Sequence, residues 1–138
     1  MRSDKIFICE QQQDFFEYTS NLLLDMYNFI PSFMKSDFCT RELDSTYSVF
    51  QYADIYDWED FLKKEISFTP KPFIKERIPK NVVGWIGYTY RYIQIESQIS
   101  SKILIDKIPL DKLLRAYAGL HTVDEEMAYD IIRNDFDL

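Results

Sequence analysis

Gly84-Trp-Ile-Gly-Tyr-Thr-Tyr-Arg-Tyr-Ile-Gln-Ile95 gathers apolar and aromatic surface more densely than any other stretch of the chain. Read as a helix over residues 82–96, with successive side chains turned by about 100°, it carries Trp85, Tyr88, Tyr92 and Ile95 on one stripe. Val82, Ile86 and Ile93 form a second stripe beside it, so roughly half the cylinder is apolar. Gly84, Gly87 and Arg91 cluster on the opposite side, where another element can approach closely with a guanidinium at its rim. A strand reading competes, because Tyr88, Tyr90 and Tyr92 alternate with Thr89 and Arg91. It loses phase at Tyr92-Ile93 and needs a bulge there; the helix needs no irregularity and is preferred.

Composition agrees with a helical class. The 138 residues are 46% hydrophobic and 17% aromatic with only 3 Gly, which argues against disorder and against a turn-rich sandwich. A chain of this length buries about two thirds of its unfolded surface without metal or disulfide help. The expected fold is therefore an all-α, single-domain bundle over residues 1–138, with about six or seven helices packed round the central one.

Outward from the centre, Phe15, Tyr18, Leu22, Met26 and Phe29 keep helical spacing, with Phe16, Leu23 and Tyr27 widening the stripe and Pro31 ending or kinking the helix. Residues 6–9 could instead form a short strand. A helix is expected from Arg41 to Tyr52 with Thr40 as its cap, and another from Asp54 or Asp57 to Ile66. Pro70, Pro72 and Pro79 make residues 67–80 an extended, packed connector. Ser100 or Ser101 starts a short helix, and Pro109 opens one that Gly119 ends. Thr122 and Glu125 are spaced as a capping box for the last helix, which points Met127, Ile131 and Ile132 inward.

Charge narrows the function. The net charge is −7, and all of it is N-terminal: residues 1–69 hold 6 Lys and Arg against 13 Asp and Glu, whereas residues 70–138 hold 10 of each. Such a half repels phosphate backbones and attracts a basic partner, so direct nucleic-acid binding is not expected. No apolar run is long enough to span a bilayer, and the N-terminus reaches charge too soon for a signal peptide, which places the protein in the cytoplasm with no membrane association. Two cysteines far apart in sequence, Cys9 and Cys39, read as reduced thiols.

The chemistry-bearing residues are few. His121 is the single histidine, and Thr122 as a cap would leave it outside the helix that carries Asp124 and Glu125, so no metal site is expected. Gly84 and Gly87 lack the Lys-Ser/Thr of a phosphate loop, and no cofactor is expected. Arg115 and His121 are separated by five residues, as in the Arg-x(4 to 6)-His motif of HEPN-type ribonucleases, which are small, helical and metal-independent. There the arginine would hold a phosphate and the imidazole would move a proton. Ala116 and the helix end at Gly119 depart from that pattern. Tyr52, Tyr56, Asp57, Trp58 and Asp60 belong to an acidic aromatic run that suits a basic groove, with rings as anchors and acids as complementary charge. The plainer reading of the same run is an amphipathic helix with its rings in the core.

Trp85-Ile-Gly-Tyr-Thr-Tyr-Arg91, the Ser101-Lys102 pair and His121-Thr-Val-Asp-Glu-Glu-Met-Ala128 together resemble a group of small, uncharacterised bacterial helical proteins. In these a W-x-G-Y-x-Y-R segment, an S-K pair and an H-T-x-D-x-x-x-A segment recur in this order, and their genes tend to lie beside toxin-like ADP-ribosyltransferase genes. The resemblance covers roughly the last 55 residues well. It implies a toxin–antitoxin or related defence setting without saying which side this chain takes. On that view Arg91 and His121 join helices, pairing with acids such as Asp124. The expected function is a non-catalytic protein-binding module, an antitoxin or inhibitor of a basic toxin or enzyme. The ribonuclease using Arg115 and His121, and a phage-type inhibitor mimicking nucleic-acid charge, are the alternatives. Self-association is left open.

Overall fold

A computed structural model describes residues 4–138; Met1 to Ser3, the start of the charged N-terminus noted above, lie outside the described residues. The architecture is an all-helical bundle with no strand among those residues: α1 (Asp4–Asn21), α2 (Met26–Lys35), α3 (Ile55–Leu62), α4 (Lys80–Ser97), α5 (Ser101–Lys107), α6 (Leu110–Leu120) and α7 (Glu125–Asp135). Residues 6–9 are thus helical, and so is the whole of 84–95. No helix among the described residues is long and apolar enough to cross a membrane.

The central helix is α4. Its glycine side takes α1, the most extensive helix pairing in the fold, because two missing side chains let the backbones close. A Cβ on Gly87 would stand 2.9 Å from the Gln12 carbonyl oxygen and 2.9 Å from the Phe16 ring, and one on Gly84 would meet the Glu17 carboxylate. Gln12 fastens the contact by donating from Nε2 to the Gly87 carbonyl at 2.9 Å. On the far end of α4, buried Tyr90 donates its hydroxyl to the Ile108 carbonyl at 2.7 Å and so holds the turn between α5 and α6.

The N-terminal half fills its core with rings. Phe16 meets Phe33 edge-on at 5.0 Å and Phe15 meets Trp58 at 5.5 Å, offset geometries that aromatic quadrupoles favour. The C-terminal helices contribute Leu104, Ile108, Leu113 and Ile132 to the same cluster.

Several boundaries differ from the sequence reading. The first helix ends at Asn21, ten residues before Pro31. Leu23 adopts φ 63°, the left-handed conformation that terminates helices, and the chain turns there. Asp25 then caps α2 by accepting from the Tyr27 N–H at 3.1 Å. Leu23 and Tyr27, expected inside, are exposed as a result. Pro31 lies within α2; buried Ile30, Phe33 and Met34 on either side of it hold the helix despite the missing donor. The helix expected over 41–52 is replaced by a π-helical turn at Cys39–Leu43 and a 3-10 turn at Val49–Gln51. Asp54 caps α3 as expected, accepting from the Tyr56 and Asp57 N–H groups. Gly119 sits inside α6 and does not end it. Asp124, not Thr122, caps α7, accepting from the Met127 N–H at 2.9 Å. Met127 and Ile131 are exposed, leaving Ala128 and Ile132 as the inward pair.

The connector after α3 carries no helix before Lys80. It is clipped to the α1–α2 corner: the Lys71 N–H donates to the Leu23 carbonyl at 2.7 Å, and Arg77 donates to the Leu24 carbonyl.

The two glycines of α4 make different predictions. Gly87→Ala pushes a methyl group into backbone and a buried ring, so overpacking of about 1–3 kcal/mol outweighs the roughly 1 kcal/mol that alanine gains in a helix. Gly84→Ala displaces only a flexible carboxylate and is neutral or stabilising. Urea unfolding of both variants checks the contrast.

Candidate functional site

Among the described residues, the one charged side chain sealed in the core is Arg91, with no exposed surface. Every nitrogen of its guanidinium is used. Nε donates to Gln12 Oε1 at 2.8 Å, one terminal nitrogen donates to Asp44 Oδ1 at 2.7 Å and Gln94 Oε1 at 3.0 Å, and the other lies 3.1 Å from Cys39 Sγ. Asp44 is satisfied in turn, since the Ser101 N–H and hydroxyl donate to it at 2.8 and 2.6 Å. The π-helical turn makes this possible: its wide i to i+5 step, closed by Asp44 N–H on the Cys39 carbonyl at 2.9 Å, brings thiol and carboxylate to the same guanidinium. The sequence reading placed Arg91 at a rim and offered Asp124 as a partner. Instead the arginine is buried against Asp44, and Asp124 is spent on its helix cap. The network holds four segments together with Arg91 sealed inside, while Asp44 keeps a partly exposed edge on the wall of a surface depression.

Both cysteines are buried and free. Burial pushes the Cys9 thiol up to about 12, against the pull of Arg91 and Lys5, and burial also raises Cys39.

Of the acidic aromatic run, Tyr52, Tyr56, Asp57 and Asp60 are exposed. Trp58 is not: it is fully buried, with its indole N–H donating to the Phe50 carbonyl at 2.7 Å, and it cannot anchor a partner. Two rings that were not singled out in sequence complete the surface. Phe7 of α1 stacks on Tyr52 at 6.0 Å and Tyr47 packs against Tyr52 at 6.4 Å, making a continuous exposed ridge. The Asp4 carboxylate beside the Tyr52 hydroxyl raises the pKa of the phenol. The segment that bears the ridge is braced from beneath. Gln51 donates to the Ser45 carbonyl at 2.8 Å, Gln11 of α1 donates to the Ala53 carbonyl, and Ser48 donates to Glu42. Nothing in the spacing of Phe7 or Tyr47 marks them, because the ridge is assembled from a helix end and an irregular segment.

Arg115 and His121 are both exposed but engaged locally. Arg115 pairs with Asp111 one turn back at 3.2 Å. The His121 ring lies flat on Tyr117 at 4.2 Å, with Nδ1 2.7 Å from the Tyr117 carbonyl oxygen. Six helical steps of 100° separate the two residues by about 120° round the axis. His121 thus finishes its own helix and does not bridge two others. It also lines a cleft of about 190 Å³ between α4 and α7, with Trp85, Tyr88, Tyr92, Glu125 and Tyr129. No family model, no curated protein and no solved structure matches this chain.

Removing one side of the buried pair leaves the other charge unpaired in the core. Arg91→Met and Asp44→Ala should each cost about 3–5 kcal/mol in urea unfolding, with the double variant costing far less than their sum. Stability also has an alkaline limit. The folded thiol of Cys9 keeps its proton above the ordinary value of 9.0, so stability falls as pH rises from there toward about 12. Cys9→Ala should flatten that slope.

Proposed function

We propose that this chain is a non-catalytic protein-binding module that neutralises a basic toxin or enzyme through the exposed ridge at Phe7, Tyr47 and Tyr52. The observation that carries the reading is that ridge. Phe7, Tyr47 and Tyr52 are 41%, 72% and 49% exposed and in ring contact; together they present on the order of 350 Å² of largely apolar surface. A patch of that size on a monomer is often a contact site. Aromatic rings supply large contact area with few rotatable bonds, and a braced segment loses little freedom on binding. Asp4, Asp57 and Asp60 lie exposed on the neighbouring helices α1 and α3, within the half of the chain that holds the acidic excess, which favours encounter with a basic surface.

The resemblance to proteins encoded beside toxin-like ADP-ribosyltransferases supports a toxin–antitoxin setting, and the acidic excess of residues 1–69 favours the neutralising side of such a pair. The ribonuclease reading has less behind it, because Arg115 and His121 are each occupied by neighbours on their own helix and diverge round it.

The test is purification of the tagged protein from its native host at low and moderate salt. A stoichiometric basic partner should co-purify, release with salt, and be lost when Tyr47 and Tyr52 are replaced by alanine. Asp57→Lys with Asp60→Lys should slow association about tenfold at low salt and shrink its salt dependence. A partnerless protein that arrests growth by itself, and is cured of this by His121→Ala, would replace this reading with the ribonuclease.

A further inference from the structure

The cleft between α4 and α7 is separate from the ridge and has its own chemistry. Tyr88 and Tyr92, one turn apart on α4, stand nearly parallel with their rings 6.4 Å apart, at 13°. Tyr129 of α7 closes on Tyr92 at 6.1 Å and 65°. Trp85 joins them among the lining residues and is held edge-on by Tyr117 at 5.5 Å. Rings thus face the space from more than one direction. The carboxylate in this wall is Glu125, half-buried, which accepts from the Tyr88 hydroxyl at 3.2 Å and keeps further lone pairs.

The sign of the charge here is decided by magnitudes. The start of α7 contributes about half a positive charge from its backbone dipole, but Asp124, Glu125 and Glu126 all line the adjoining depression beside Tyr92. Among the described residues, the cations beside these rings are Lys5, paired with Glu96, and Arg133, which lies 5.9 Å from the Tyr129 centroid and pairs with Asp130. The balance at the cleft is negative. Lys5 also shows what these rings attract, since its ammonium sits 4.8 Å from the Tyr92 centroid. A cleft of about 190 Å³ has room for a guanidinium with part of its carbon stem.

We propose that the Trp85, Tyr88, Tyr92, Tyr129 and Glu125 cleft binds a guanidinium group, that of an arginine side chain carried by another protein. Ring faces attract a cation, and a guanidinium plane stacks on them while its fork of N–H donors meets a carboxylate. This site does not rest on the ridge, and each can fail without the other.

The experiment is an NMR titration of the full chain with Nα-acetyl-arginine amide, following the Trp85 indole and the tyrosine rings. Nα-acetyl-citrulline amide, which replaces the cation by a neutral urea of the same shape, and butylguanidine, a free alkylguanidine of the same single charge, are run alongside. Saturable shifts should occur with the arginine amide at roughly millimolar concentration and be at least about tenfold weaker with citrulline. Tyr129→Phe should keep binding, Tyr129→Leu should lose it, and Glu125→Gln, which can still accept from Tyr88, should weaken it about tenfold. A tighter response to the arginine amide than to butylguanidine supports a protein-borne side chain; the reverse overturns that source in favour of a free organic cation. Equal responses to arginine and citrulline, or none that saturates, overturn the site altogether.

Discussion

A buried charge is costly to desolvate, and this fold spends its least regular segment on compensating one. Arg91 can be sealed in the core only if every guanidinium nitrogen finds a partner, and those partners come from α1, the π-helical turn and α4 itself, with α5 reached through Asp44. An ordinary α-helical turn over 39–44 would not deliver Cys39 and Asp44 to one point. The widened turn follows from that demand, and so do the close approach of α1 to α4 at Gly87 and the start of α5 at Ser101. An apolar residue at 91 would remove the desolvation cost along with the geometry it enforces.

Local rules made much of the fold legible. Aromatic and apolar spacing gives α4, and Asp54, Ser100 and Pro109 mark helix starts because capping chemistry acts within one turn. The failures share a cause in that they depend on residues distant in sequence. Leu23 takes a left-handed conformation at a corner to which the connector is fastened from residue 71, and Pro31 is kept inside a helix by neighbours buried on both sides. At 122–124 the Thr-x-x-Glu spacing pointed to Thr122 as the cap, but it is Asp124 that accepts from the Met127 N–H.

The same division applies to the surfaces. The acidic aromatic run is visible in sequence, but Tyr52 lies in an irregular segment with no helical phase, and within α3 the phase divides the rings. Trp58 turns in to the core while Tyr56 turns out. The ridge gains Phe7 and Tyr47 only through packing across segments. The cleft could be anticipated in part, since Trp85, Tyr88 and Tyr92 form the stripe read from the sequence. Its other wall required knowing that α7 folds back on α4.

The arginine network also sets an order of events during synthesis. Gln12 and Arg91 are 79 residues apart, so at about 5–20 residues per second the first helix waits on the order of 4–16 s for its counterpart to be made. Through that interval Phe15 and Phe16 have no α4 to pack on. The nascent segment is also the part of the chain that holds the whole acidic excess, and like charges keep such segments from associating with one another. The asymmetry of charge thus guards the unfinished protein.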